Sequence, residues 1–125
     1  MLAKCIESFR NQIKAGNTYL VIEISIKWTS DSVGFRVIDE EGYPAIYEAD
    51  KFQIVSNHIN DFAIVINENY IILSHNFILN SELNKKNIEG FWGLFVEDDA
   101  EAKKIWREVV SELAIGENIT PLALA

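Results

Sequence analysis

Cys5, His58 and His75 are the residues whose types best suit nucleophilic or metal chemistry in this chain. A thiol nucleophile would need one of the two histidines as its base. Cys5 falls instead in an apolar series, so a buried and inert thiol is expected. A zinc site needs three or four ligands. Two histidines far apart in sequence, outside an H-E-x-x-H pattern, and one cysteine are too few, so no metal and no cofactor are expected. The G-x-S-x-G elbow of serine hydrolases is absent. Gly90-x-x-Gly93 is not followed by the Lys-Ser/Thr of a phosphate cradle. Glu101-Ala102-Lys103 has a nuclease-like acid-x-Lys spacing, but both charges fall on the outer side of a predicted helix. Asn118-Ile119-Thr120 matches a glycosylation sequon, which has no role in a protein read as cytoplasmic. Carboxylates are plentiful, yet nothing singles out a catalytic pair. The expectation is a protein that is not an enzyme.

The same carboxylates suit recognition. Asp39, Glu40, Glu41, Glu48 and Asp50 flank the rings of Tyr43 and Tyr47. Grouped at one end of a sheet, they would present negative charge and buried ring area to a basic protein surface. A solvated charged turn is the alternative. In GFWGLFVEDDAE, residues 90–101, four large apolar side chains run into four carboxylates. Asp98 stands three residues before Glu101, a capping-box spacing, and Asp99 and Glu101 suit the positive end of a helix dipole. Phe91 and Phe95 are i, i+4 partners on a short helical turn. Trp92 is either part of that packing or an exposed anchor for a partner.

Positioning these groups requires a core. The chain has 125 residues, 49% of them apolar, with seven Phe, three Trp and four Tyr. That length predicts one domain, residues 1–125, burying roughly two-thirds of its unfolded surface. A single cysteine rules out an internal disulfide and fits a reducing compartment. The first sixteen residues have no uninterrupted apolar stretch and no small-residue cleavage site, so no signal peptide is expected. No apolar run approaches the ~20 residues that span a bilayer. The formal net charge of -8 repels nucleic acid and anionic membrane and attracts basic partners. A cytoplasmic protein with a protein partner follows; the oligomeric state stays open.

The periodicities predict an α+β domain. Leu2, Cys5, Ile6, Phe9 and Ile13 recur at helical spacing, predicting an N-terminal helix that stops at Gly16. In Thr18–Trp28, Leu20, Ile22, Ile24, Ile26 and Trp28 alternate with polar residues, predicting a strand. Val33–Ile38 reads as its antiparallel return, Ala45–Tyr47 as a short third strand, and 49–55 as an apolar segment entered through a turn. Phe62–Ile66 and Tyr70–Ser74 flank Asn67-Glu68-Asn69 as a hairpin. Residues 80–87 read as a mobile loop. Ala102, Ile105, Trp106, Val109, Val110 and Leu113 form the stripe of a C-terminal amphipathic helix, stopped at Gly116. The expectation is an N-terminal helix, a mostly antiparallel sheet of about five strands, and a C-terminal helix packed on it, with an apolar tail from Ile119.

FRVIDEEGYPAIYEADKFQIV, residues 35–55, and GFWGLFVEDDAEAKKIW, residues 90–106, resemble small acidic bacterial proteins of the immunity type. Such proteins are encoded beside secreted or contact-delivered toxins and neutralise them by direct binding. The likeness lies in size, acidity, mixed helix and sheet, and the lack of catalytic motifs. It implies a protein inhibitor whose partner is a basic toxin domain, often a nuclease. It carries over no residue by position, so Asp39, Glu40, Glu41, Tyr43, Tyr47, Glu48, Asp50 and Trp92 are candidates on their chemistry alone. The segment DEEGYPAIYEADKF also resembles small SH3-like barrels, which implies an adaptor or regulatory module instead. A small enzyme using carboxylates is the third alternative.

Overall fold

The computed structural model describes residues 1–86 and 90–119. Its strands are β1 (Leu2–Cys5), β2 (Thr18–Lys27), β3 (Ser32–Ile38), β4 (Pro44–Glu48), β5 (Phe52–Ser56), β6 (Phe62–Ile66) and β7 (Tyr70–His75). A 3₁₀ turn, Ala49–Lys51, joins β4 to β5, and four helices follow: α1 (Asn76–Leu79), α2 (Leu83–Lys86), α3 (Gly90–Val96) and α4 (Ala100–Gly116). All strands pair antiparallel in one seven-stranded sheet, in the order β4-β3-β2-β1-β5. The sheet forks at β2. Thr18 to Leu20 pair with β1, while Glu23 to Lys27 pair with β7, which carries β6.

The expected N-terminal helix is replaced by β1, and the five strands become seven. Met1, Ala3 and Cys5 point into one core and Leu2 into the other, the alternation of a strand. Paired on both edges, by β2 and by β5, β1 satisfies its backbone as fully as a helix would. The helical stripe is not realised, since Ile6 and Phe9 are exposed. Cys5 is buried, with its thiol donating to the Glu7 carbonyl at 3.2 Å.

Two hydrophobic cores lie on opposite faces of the sheet. One joins Leu20, Ile22 and Ile38 to Phe91, Phe95, Trp106, Val109 and Val110 of the helices. The other holds Tyr19, Val21, Phe35, Val37, Tyr47 and Phe52 with the residues of β1. A β-bulge in β2 decides which polar groups face the helices. Val21 pairs with Val37, but the next pair is Glu23 with Arg36, leaving Ile22 as the extra residue. Before the bulge Leu20 and Ile22 face the helices. After it Ile24 packs on the opposite core, and Glu23 turns toward α3. An extra residue reverses the alternation, so the apolar series from Leu20 to Ile26 is split between two faces.

The C-terminal helix forms as its stripe predicts, with Ala102, Trp106, Val109, Val110 and Leu113 buried, and it ends at Gly116. Its cap is Asp99, not Asp98: the Ala102 N–H donates to Asp99 Oδ2 at 3.0 Å. Asp98 has φ 61° and pairs outward with Lys103 at 3.3 Å. Phe91 and Phe95 are buried on α3 as expected. The β6–β7 hairpin forms around Asn67, whose side chain accepts from the N–H groups of Asn69 and Tyr70. The stretch read as a mobile loop contains α2, and Asn87 lies outside the described residues, as does the tail beyond Ile119. Among the described residues no helix is long and apolar enough to cross a membrane.

Candidate protein-binding face

The hairpin β3–β4 sorts the predicted acids by depth. Asp39 is buried, 2% exposed. Its Oδ1 accepts the N–H groups of Glu41 at 2.9 Å and Tyr43 at 3.1 Å, which fixes the turn around Gly42 at φ 73°. Its Oδ2 accepts the Tyr47 hydroxyl at 3.1 Å. Burial, and then the Asp39 carboxylate, push the Tyr47 phenol well above the ordinary tyrosine range. Tyr47 is buried in the core opposite the helices. Tyr43 packs on the helix side, with its ring 5.7 Å from Phe95. The two rings therefore lie on opposite faces and form no shared surface. Asp39 and Tyr47 hold the turn in place, and both are buried.

Glu40, Glu41, Glu48 and Asp50 are exposed. They bracket β4, the edge strand, with Glu40 and Glu41 before it and Glu48 and Asp50 at and beyond its end. At about 3.3 Å per residue the two pairs are roughly 16 Å apart. Glu40 accepts from Asn17 Nδ2 at 3.1 Å and lies 4.0 Å from Lys14 Nζ. Among the described residues no cation lies within 4.0 Å of Glu41, Glu48 or Asp50. The expected single cluster is thus a line of charge along one edge.

Between the two acidic pairs, Ile46 is 51% exposed at the middle of β4. It forms one wall of a groove of about 320 Å³, whose other walls include Arg36, Ile72, Leu79 and Trp92. Arg36 Nε donates to Glu23 Oε2 at 3.0 Å, Trp92 Nε1 donates to Glu23 Oε1 at 3.1 Å, and the Arg36 guanidinium lies 4.0 Å from the Trp92 ring centre. Every charge in this trio is met, so Trp92 is held rigidly at the groove wall. Trp92 is half-buried and both packs and lines, with Phe95 and Trp106 rings at 5.6 and 6.0 Å. Sequence reasoning missed Glu23 and Arg36, because the bulge that brings Glu23 beneath Trp92 leaves no mark in the alternation.

Histidine and cysteine alone are too few for a metal site in this chain, but carboxylates can add to them. Among the described residues, Asp61, His75 and Glu112 come together as a group able to hold an ion. The sequence places them on a loop, a strand end and a helix 37 residues further on, and nothing in their spacing links them. His75 is fully buried at the end of β7, while His58 is exposed. No protein-family model, curated protein or solved structure was found to match this chain.

Proposed function

We propose that this protein is an immunity-type inhibitor, a non-enzymatic cytoplasmic domain that binds a basic bacterial toxin domain and occludes it. The observation that supports this reading is the β4 edge. An exposed apolar residue, Ile46, opens onto a groove with a fixed tryptophan, and carboxylates stand at both ends of the strand. Apolar centre and polar rim is the anatomy of a protein interface. The acids steer a positive partner, and Ile46 and Trp92 supply the area that is desolvated on contact. Pro44 at the head of β4 removes a backbone donor, which discourages pairing of that edge with another strand. Side-chain contact is therefore the mode proposed.

The test uses the product of the adjacent reading frame as the partner. Association is measured by stopped flow over a range of ionic strength, for the wild type and for the double variant Glu40→Lys, Glu41→Lys. The on-rate is expected to fall steeply with salt for the wild type and to be lower and flatter for the variant. Equal on-rates at all salt concentrations would remove this edge from the interface. The groove's apolar walls favour the adaptor reading to one extent: a peptide-binding module would show affinity lost in Trp92→Ala with little salt dependence.

A further inference from the structure

Asp61, His75 and Glu112 converge where the β6–β7 hairpin meets the C-terminal half of α4. Register explains the meeting: Phe62, the first residue of β6, is paired with His75, so Asp61 stands in the loop one residue before that pair. The Asn76 N–H donates to the Asp61 carbonyl at 2.9 Å, which ties the two segments together. Each side chain offers one ligand atom, and the three atoms lie within 4.8 Å of one another. His75 Nε2 is 3.5 Å from Glu112 Oε1. His75 is completely buried, and its Nε2 has no hydrogen-bond partner among the described residues. Buried polar atoms are nearly always satisfied; this nitrogen lies 3.5 Å from the Glu112 carboxylate without a hydrogen bond to it, and in the tautomer protonated on Nδ1 its lone pair is free to take a cation. Asp61 and Glu112 also border a cleft of about 260 Å³, which gives an ion at this point room for water ligands.

We propose that Asp61, His75 and Glu112 form a binding site for a first-row divalent cation such as Co²⁺ or Zn²⁺. One imidazole and two carboxylates are a mixed nitrogen and oxygen set that suits these ions, and the carboxylates balance the dication's charge. The tautomer of His75 links the site to α1. In the structure the Phe77 N–H donates to His75 Nδ1 at 3.1 Å, so the neutral ring carries its single proton on Nε2. A cation takes the Nε2 lone pair, and the ring proton moves to Nδ1; the ring stays neutral and no proton is lost. Nδ1–H cannot accept from Phe77, so loading releases the cap of α1, a helix of four residues. Occupancy of the ion site and the Phe77 cap exclude each other.

The experiment titrates the full, untagged chain with CoCl₂, followed by visible absorption, and with ZnCl₂, followed by calorimetry. Amide spectra are recorded at each step. Saturable one-to-one binding is expected, with displacement of the Phe77 amide resonance. Asp61→Asn and Glu112→Gln should each weaken binding by at least about tenfold, the lower end of what losing even an outer-shell partner costs. His58→Asn, at the cleft mouth, should leave binding unchanged. The carboxylate variants carry the test, because His75→Ala removes a buried ring. Absence of saturable binding, equal binding by Asp61→Asn and Glu112→Gln, weakening by His58→Asn, or binding with an unmoved Phe77 amide would each overturn the assignment.

Discussion

Asp39 and Glu40 are consecutive carboxylates in opposite surroundings, and the contrast extends to two regions of the molecule. Beneath the surface, Asp39 with its turn and Glu23 with Arg36 and Trp92 are closed networks in which each charged or polar group meets a partner. Along the β4 edge, Glu41, Glu48 and Asp50 are exposed, and among the described residues no cation lies within 4.0 Å of them. A buried charge is tolerated only with compensating bonds, so the first group fixes the fold. An exposed charge contributes little to stability, so the second is free to serve recognition.

The difference can be broken at several points. Arg36→Ala should have the largest effect, about 3–5 kcal/mol in chemical denaturation, because it leaves Glu23 buried without its cation. A loss below about 1 kcal/mol would mean that water reaches Glu23, and the closed network would be an illusion. Asp39→Ala should cost about 1–3 kcal/mol, since two turn N–H groups and the Tyr47 hydroxyl lose their acceptor.

Glu117 tests the same idea through pH. Burial alone would raise its carboxyl, but bonds from the Met1 ammonium and Ser56, together with the charges of Met1 and His58, outweigh this and hold it below the usual range. A lowered folded-state value means stability present above the unfolded-state value and lost as pH falls through the folded one. Wild-type melting temperature should therefore drop as pH falls below the ordinary glutamate range. Glu117→Gln should flatten that slope and cost about 1 kcal/mol at neutral pH. Equal slopes would show the ion pair to be solvated. The smallest effect belongs to Glu40→Lys, Glu41→Lys, which should leave stability within about 0.5 kcal/mol. A larger loss would move these residues into the structural group.

Much of the fold is legible in the sequence where one face of an element is buried. The stripe from Ala102 to Leu113 and the hairpin around Asn67 are both of this kind. It fails where local pattern and long-range pairing compete. Leu2 to Ile13 has helical spacing, but β2 and β5 supply partners for a strand, and a strand there feeds both cores. The cap at Asp99 was missed by one residue, because Asp98 and Asp99 are chemically alike and only the backbone at Asp98 separates them. The candidate face was half legible: acids and Trp92 were visible as residue types, but which of the acids would be buried was not.

By itself the sequence determined the class of the protein: an acidic α+β chain with a large core and a C-terminal amphipathic helix. Composition and period suffice for that, because burying apolar area is a property of the residues and their spacing. Tertiary structure alone decided that Glu23 lies beneath Trp92, that Asp39 is buried while Glu40 is not, and that His75 meets Asp61 and Glu112. Each depends on register, on a bulge or on the docking of a helix. These are set by contacts between residues far apart in the chain, and no local pattern encodes them.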